Sequence, residues 1–215
     1  METKSRHLAL AAVVAAIVGA VAAVQAFIDP PPLRLAGALP RSSGSKATGE
    51  PPAARGPTAP EISGIVRWLN SEPLDMNALR GKVVLVDFWT YSCINCQRTL
   101  PYLRDWHEKY AGKGLVILGI HSPEFEFEKV EANVREAVAR EGVTWPVAMD
   151  NDFATWQAYH NRYWPHEFLV DEEGTVRYDH IGEGAYRETE MRIRELLIEA
   201  GADVSSIPLG RSRGA

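Results

Sequence analysis

Only two cysteines occur in the 215 residues. That excludes a disulfide-dense scaffold, and it excludes a self-contained zinc site built from four thiolates. Positive charge is not in excess either: 23 Lys and Arg stand against 28 Asp and Glu, for a formal net charge of −5. A nucleic-acid binder carries a basic stripe, so no nucleic-acid partner is expected, and nothing favours electrostatic docking on an anionic membrane. The chain contains no HExxH, no GxSxG, no phosphate-binding glycine loop, no complete metal cluster and no internal repeat. No metal and no cofactor are expected. What the sequence does hold is apolar material: the AVILMFWYC set makes up 46% of it and charged residues only 24%. That suffices for the core of one ordinary domain with extra segments, or of two small domains.

Long apolar runs are also scarce, with one exception at the N-terminus. Lys4, Arg6 and His7 form a short basic flank, followed by LALAAVVAAIVGAVAAVQAFI, residues 8–28, in which Gln25 is the only strongly polar residue. As a helix this run is about 30 Å long, roughly the hydrocarbon thickness of a bilayer. The basic flank belongs on the cytoplasmic side, which places the rest of the chain outside the cytoplasm. Residues 1–28 are therefore expected to be a signal-anchor, or a signal peptide cleaved after Ala26, since Val24-Gln25-Ala26 puts small residues at plausible cleavage positions. The anchor is favoured because the run exceeds a common signal h-region. A buried core helix is disfavoured by its apolar surface on every side. No cysteine lies near residue 26, which excludes a lipid-modified cysteine. Residues 29–60 hold eight of the 14 prolines and show no periodic apolar stripe. They are expected to be a flexible Pro/Gly/Ser/Ala-rich tether.

The organised part is expected at 61–202, with 203–215 as a disordered tail. Residues 64–70 predict a strand with Trp68 packed inward. Val83 to Phe88 is a nearly all-apolar β-branched run, which suits a central strand covered on both faces. A helix is expected over 95–110, because Leu100, Leu103, Trp106 and Tyr110 share one face; Pro101 inside it predicts a bend. Residues 115–120 predict a second central strand, and 125–140 one long amphipathic helix. A short strand (145–149), a short helix (153–159), a hairpin whose turn is Asp171-Glu-Glu-Gly174, and a last helix (187–199) complete the pattern. The order βαβα, short β, short α, ββα gives an α/β fold: a mixed central sheet flanked by helices.

Cys93 and Cys96 form a CxxC directly after a strand and at the start of a helix. That context points to thiol redox chemistry. The free N–H groups of a first helical turn and the positive end of the helix favour a thiolate at Cys93. A lowered thiol pKa makes the sulfur both more available and a better leaving group. Cys93 would attack a partner disulfide, and Cys96 would resolve the mixed disulfide. A structural disulfide, half a zinc site and a passive thiol pair are the blander readings. Asp87 is an acid inside an otherwise apolar strand. Burial would raise its pKa and let it exchange a proton with Cys96; the alternative is an edge acid facing solvent.

VVLVDFWTYSCINCQRTLPYL resembles the active-site segment of the thioredoxin superfamily. It is most similar to the membrane-anchored TlpA/ResA-like branch and to the thioredoxin-like domain of DipZ-type proteins. HSPEF (121–125), DNDFATWQAYHNRYWP and HIGEGAY (180–186) extend the likeness over about residues 62–200. The resemblance implies a thioredoxin-like fold with an N-terminal β extension and an inserted helical segment. It implies that Cys93 is the exposed nucleophile, Cys96 the buried resolving thiol and Asp87 the buried acid beneath them. It places Trp89 as the aromatic residue beside the redox centre and Pro165 as a cis-proline facing the disulfide, with Trp164 a candidate wall of a substrate groove. Ser92 before Cys93, and Ile94-Asn95 between the cysteines, depart from ordinary thioredoxins. Potential and partner choice are left open by both.

His121 and Glu124 follow the second central strand, at the strand ends where α/β sheets often carry function, and are candidate modulators. Glu128 lies in the same stretch, where an acid is usually just solvated. The expected function is an extracytoplasmic thiol–disulfide oxidoreductase, with a role as reductant in cytochrome c maturation as one version. Its partners would be exported protein disulfides or thiols, apocytochrome c among them, and a membrane electron carrier of DipZ/CcdA type. Alternatives are a redoxin-type thiol peroxidase, opposed by the absence of a Pro-x-x-x-Thr-x-x-Cys setting, and a non-catalytic binding module.

Overall fold

A computed structural model describes residues 56–210. The apolar run 8–28, the tether up to residue 55 and the last five residues lie outside the described residues. The described chain runs β1 (Arg67–Leu69), β2 (Val83–Trp89), α1 (Ile94–Tyr110), β3 (Leu115–His121), α2 (Glu131–Arg140), β4 (Val147–Met149), α3 (Ala154–Ala158), β5 (His166–Val170), β6 (Val176–Ile181) and α4 (Tyr186–Glu199). The strands form one mixed sheet in the order β1-β4-β3-β2-β5-β6. β2, β3 and β4 are parallel, and β1, β5 and β6 join antiparallel to their neighbours.

β2 is central because every one of its seven residues is buried. Alternate side chains leave opposite faces of a strand, so this one run serves two cores. Val83, Leu85 and Trp89 pack with Leu100, Leu103 and Trp106 of α1 and with Ile193, Leu196 and Leu197 of α4. Val84, Val86 and Phe88 pack with Leu118, Ile120, Trp156 and Tyr159 on the other face. Each such aliphatic or aromatic side chain contributes about 1.5–3 kcal/mol when fully buried. β1 lies on the edge of the sheet beside β4, and α2, β4 and α3 lie between β3 and β5 in the chain.

Four expectations shift. The first strand covers only Arg67–Leu69, shorter than expected; Leu69, 2% exposed, enters one core, and Trp68, half-buried, packs inward against the other. Asn70 ends the strand in the left-handed region and donates to the carbonyls of Val143 and Trp145. The single helix expected over 125–140 is a 3-10 turn, Glu126–Lys129, and then α2. Val130 between them is extended (φ −77°, ψ 114°), and Glu128 is turned inward by the backbone groups it binds. The folded part begins earlier than residue 61. Thr58 bridges Thr175, Val176 N–H donates to Pro57 and Ala59 N–H to Gly174. It also extends beyond residue 202. Val204 is fully buried, Arg194 donates to the carbonyls of Val204 and Ile207, and Gly210 N–H donates to Glu190. The tail reading therefore fails for 203–210. α1 runs as one 17-residue helix through Pro101.

Candidate active site

The parallel strands β2, β3 and β4 all end on the same side, where Trp89 pairs with His121 and His121 with Met149. The chain leaves β2 there, turns at Thr90 to Ser92, and enters α1. Cys93 is the N-cap residue of α1. Its sulfur, not a hydroxyl or carboxylate, occupies the place where a capping side chain meets the free N–H groups of the first turn, and Cys96 N–H donates to it at 3.4 Å. The Cys96 thiol, and then the backbone N–H groups of Cys96 and Asn95, hold the Cys93 thiol down at about pKa 6. Cys93 is half-buried and Cys96 is 2% exposed. Burial first, and then the neighbouring Cys93 sulfur, push the Cys96 thiol far up. One sulfur is thus charged and reachable while the other is protonated and enclosed.

Asp87 projects from β2 into the α1 face of the core. It is 1% exposed and its Oδ1 has no hydrogen-bond partner. Burial first, and the Cys93 charge second, raise its carboxyl to about pKa 7. Asp87 in turn acts electrostatically on Cys96. A solvent-facing edge acid is therefore ruled out. On the β3 flank Asp87 is paired with Gly119. A Cβ there would stand 2.9 Å from Trp89 Nε1 and 3.4 Å from Trp145 Nε1, so two indoles occupy the room a side chain would need.

Trp89 is 1% exposed and meets His121 edge-on at 5.4 Å. Its indole is enclosed in the core rather than presented on the surface. The Trp164–Pro165 bond is cis. His166 pairs with Phe88, so Pro165 lies one step further, beside the strand end from which the cysteine turn departs. Trp164 is half-buried, packs on Trp156 at 4.3 Å and donates from Nε1 to Ser122 O. His121 is fully buried, with Nε2 at 3.3 Å from Thr90 Oγ1 and Tyr91 stacked on its ring at 5.7 Å. Burial takes its pKa down to about 4, with Glu128 acting in the opposite direction, so it is a neutral packing group under the turn. Glu124 is exposed, and its charge works against the Cys93 thiolate.

Glu128 is not a solvated helix acid. It is fully buried and accepts from Ser92 Oγ (2.6 Å), Ser92 N–H, Glu124 N–H and Phe125 N–H. Burial opposes its charge, but these hydrogen bonds outweigh burial and hold its carboxyl below the ordinary range. It ties the loop after β3 to the residue preceding Cys93. The only sequence signal was an acid three residues after Phe125, at the spacing of a cap. Phe125 and Phe127 are exposed and stack on each other at 5.4 Å, Phe127 reaching Tyr91 of the cysteine turn at 6.2 Å, and Ile94, next to Cys93, is exposed as well. Among the described residues no group of three or more His, Cys, Asp or Glu is placed to hold a metal ion, and no helix is long and apolar enough to cross a membrane.

A family model described as the AhpC/TSA family matches residues 56–179. Protein DipZ of Mycobacterium tuberculosis is 51% identical over 146 residues, covering 66% of this chain and 21% of DipZ. The chain thus spans about a fifth of the length of the DipZ proteins it matches. Thiol-disulfide oxidoreductase YkuV of Bacillus subtilis is 29% identical over 140 residues, covering 65% of this chain and 94% of YkuV. Among solved structures, that of a thioredoxin-like protein in its oxidised form superposes with a TM-score of 0.61 at 29% identity, covering 67% of this chain and 97% of the other.

Proposed function

The chain belongs to the AhpC/TSA family within the thioredoxin-like superfamily, and on that premise we propose that it is a thiol–disulfide oxidoreductase acting on proteins outside the cytoplasm. The observation that carries this reading is the division of labour in the CxxC pair. Cys93 caps the helix, is reachable and is held near pKa 6, whereas Cys96 is enclosed, protonated and above an acid of about pKa 7.

The steps follow from those environments. The Cys93 thiolate attacks one sulfur of a partner disulfide, forming a mixed disulfide and expelling the other sulfur as a thiolate, which takes a proton from water. Cys96 then gives its proton to the Asp87 carboxylate. The new thiolate attacks Cys93 Sγ, closing the Cys93–Cys96 disulfide and releasing the second partner sulfur as a thiolate. The reverse sequence oxidises a partner dithiol. Trp164, Ile94 and the stacked Phe125 and Phe127 offer apolar contacts for an extended, partly apolar protein segment. Reduction of exported proteins, with cytochrome c haem-attachment thiols as one target, is the direction proposed. A membrane carrier of DipZ/CcdA type would return the electrons. The likeness to DipZ and the apolar run at 8–28, read as the tether's anchor, support this version.

Insulin reduction with a chemical electron donor tests the chemistry. Wild type should precipitate the B chain and Cys93→Ser should not; equal rates would overturn the proposal. Peroxide consumption under the same donor is expected to be negligible, and fast consumption would instead favour the peroxidase reading. A membrane-impermeant thiol reagent applied to intact cells should label Cys93. Labelling only after lysis would overturn the extracytoplasmic placement.

A further inference from the structure

Glu167 is a buried carboxylate that these steps do not use. In the antiparallel pairing of β2 with β5 it stands directly opposite Asp87, and the two are 2% and 1% exposed. Directly opposed residues leave the same face of a sheet with Cβ atoms about 4.5–5.5 Å apart. Two carboxylates at that separation in an apolar interior do not both ionise. Among the described residues no ion pair is made by either. The titratable groups that face them are Cys93 and Cys96 from α1, and His180 and Tyr178 from β6. The β3 flank offers only Gly119, and α4 contributes Thr189, bonded to Tyr178 Oη at 3.3 Å. His180 is opposite Glu167 in register, and its Nε2 is buried without a partner.

We propose that Glu167 keeps its proton and shares it with ionised Asp87 across β2 and β5, making it a positioning residue that sustains the base under Cys96. The inference rests on the thiol-exchange reading of the CxxC site. Asp87 Oδ1, buried and unpartnered, is the acceptor such a proton would find. When Cys96 gives up its proton, Asp87 becomes protonated while Glu167 remains so. The pair then holds two protons, and the one negative charge has moved from Asp87 to the Cys96 sulfur. That charge leaves with the expelled partner thiolate, and the surplus proton goes to that thiolate or to solvent. Burial first, and Asp87 second, hold the Glu167 carboxyl well above its ordinary value, which agrees with a retained proton.

Two measurements decide it. The first is the pH dependence of mixed-disulfide resolution in Glu167→Leu and Glu167→Gln. Removing the donor should move the Asp87-dependent limb to higher pH by about one unit, a roughly tenfold loss of rate on the acid side. The glutamine amide can also donate, so Glu167→Gln should return the limb to near the wild-type position. An unmoved limb in Glu167→Leu, or no rescue by Glu167→Gln, overturns the inference. The second needs no turnover: carboxyl titration of the reduced protein by isotope-edited infrared spectroscopy. Asp87→Asn should lower the pH at which Glu167 ionises, and an unchanged Glu167 titration overturns the pairing. A wild-type protein that fails to exchange disulfides at all would instead sink the function reading while leaving this titration readable.

Discussion

The backbone N–H of Cys96 donates to the sulfur of Cys93 across 3.4 Å. That one contact ties the spacing of the motif to its chemistry. Two intervening residues place the second cysteine on the first turn of the helix that the first cysteine caps. The resolving residue therefore stabilises the nucleophile's charge before it reacts with it. The half-exposure of Cys93 and the burial of Cys96 follow from the same geometry, since α1 turns its Cys96, Leu100 and Leu103 side into the core.

Alkylation of the reduced protein should show this asymmetry. Iodoacetamide should modify Cys93 with an apparent midpoint near pH 6, while Cys96 stays unmodified below the pH at which the fold opens. Mass spectrometry of the peptide spanning both residues reads the site directly. Preferential modification of Cys96 at low pH would contradict the assignment.

Asp87→Asn should slow resolution of the mixed disulfide yet stabilise the fold above neutral pH. The sign follows from the raised carboxyl. Unfolded, it ionises around 3.8, and folded it ionises at about 7. Its favourable contribution is therefore complete below pH 3.8, falls as pH rises toward 7, and is lost above that. At about 1.4 kcal/mol per pH unit, the interval amounts to roughly 4 kcal/mol as an upper figure. Urea melts at pH 4 and pH 8 check it. The gain of the variant over wild type should be small at pH 4 and of order a few kcal/mol at pH 8.

Glu128→Gln should loosen the turn before Cys93. The amide can accept with one atom only, so part of the set from Ser92, Glu124 and Phe125 is lost. Hydrogen bonds to a charged acceptor contribute about 1.5–3 kcal/mol each, so a loss of about 2 kcal/mol is expected. Hydrogen exchange at residues 122–128 should accelerate together with it. Because the folded carboxyl is held low, its stabilisation is present above the ordinary carboxylate range. It is lost as pH falls through the folded value, so the difference between variant and wild type should shrink in acid.

Arg194→Met should release the C-terminal stretch. Arg194 donates to the carbonyls of Ile207 and Val204 and to Tyr110 Oη. Without it, limited proteolysis should cut within 203–210 while the remainder stays folded. A cleavage rate equal to wild type would show that Val204 packing and the Gly210–Glu190 bond hold the segment without Arg194.

Much of this was readable in the residues. The run of Val83 to Phe88 read as a covered strand, and an acid inside it pointed to a buried carboxyl with a raised pKa over an edge acid facing solvent, which the structure bears out. CxxC after such a strand fixed the position of the site. The cis bond before Pro165 was legible only through family likeness, since nothing in the local residues distinguishes it from an ordinary trans bond before a strand-opening proline. Other features depended on tertiary partners. Glu128 looks like any surface helix acid until Ser92 and the 124–125 backbone are brought to it. Glu167 lies in a short strand whose register against β2 no local pattern specifies, so its pairing with Asp87 was invisible. Val204 and Ile207 are too sparse to form a periodic stripe, and 203–210 docks through partners on another element, Arg194 and Glu190 of α4.

The central claim is that Cys93 attacks and Cys96 resolves. Its most direct measurement is the covalent product formed when single-cysteine variants meet a disulfide-bonded protein substrate. Cys96→Ser should accumulate a mixed disulfide through Cys93, stable until a reductant is added, and Cys93→Ser should form none. An adduct on Cys93→Ser, or no adduct on Cys96→Ser with a substrate that wild type reduces, would contradict the account.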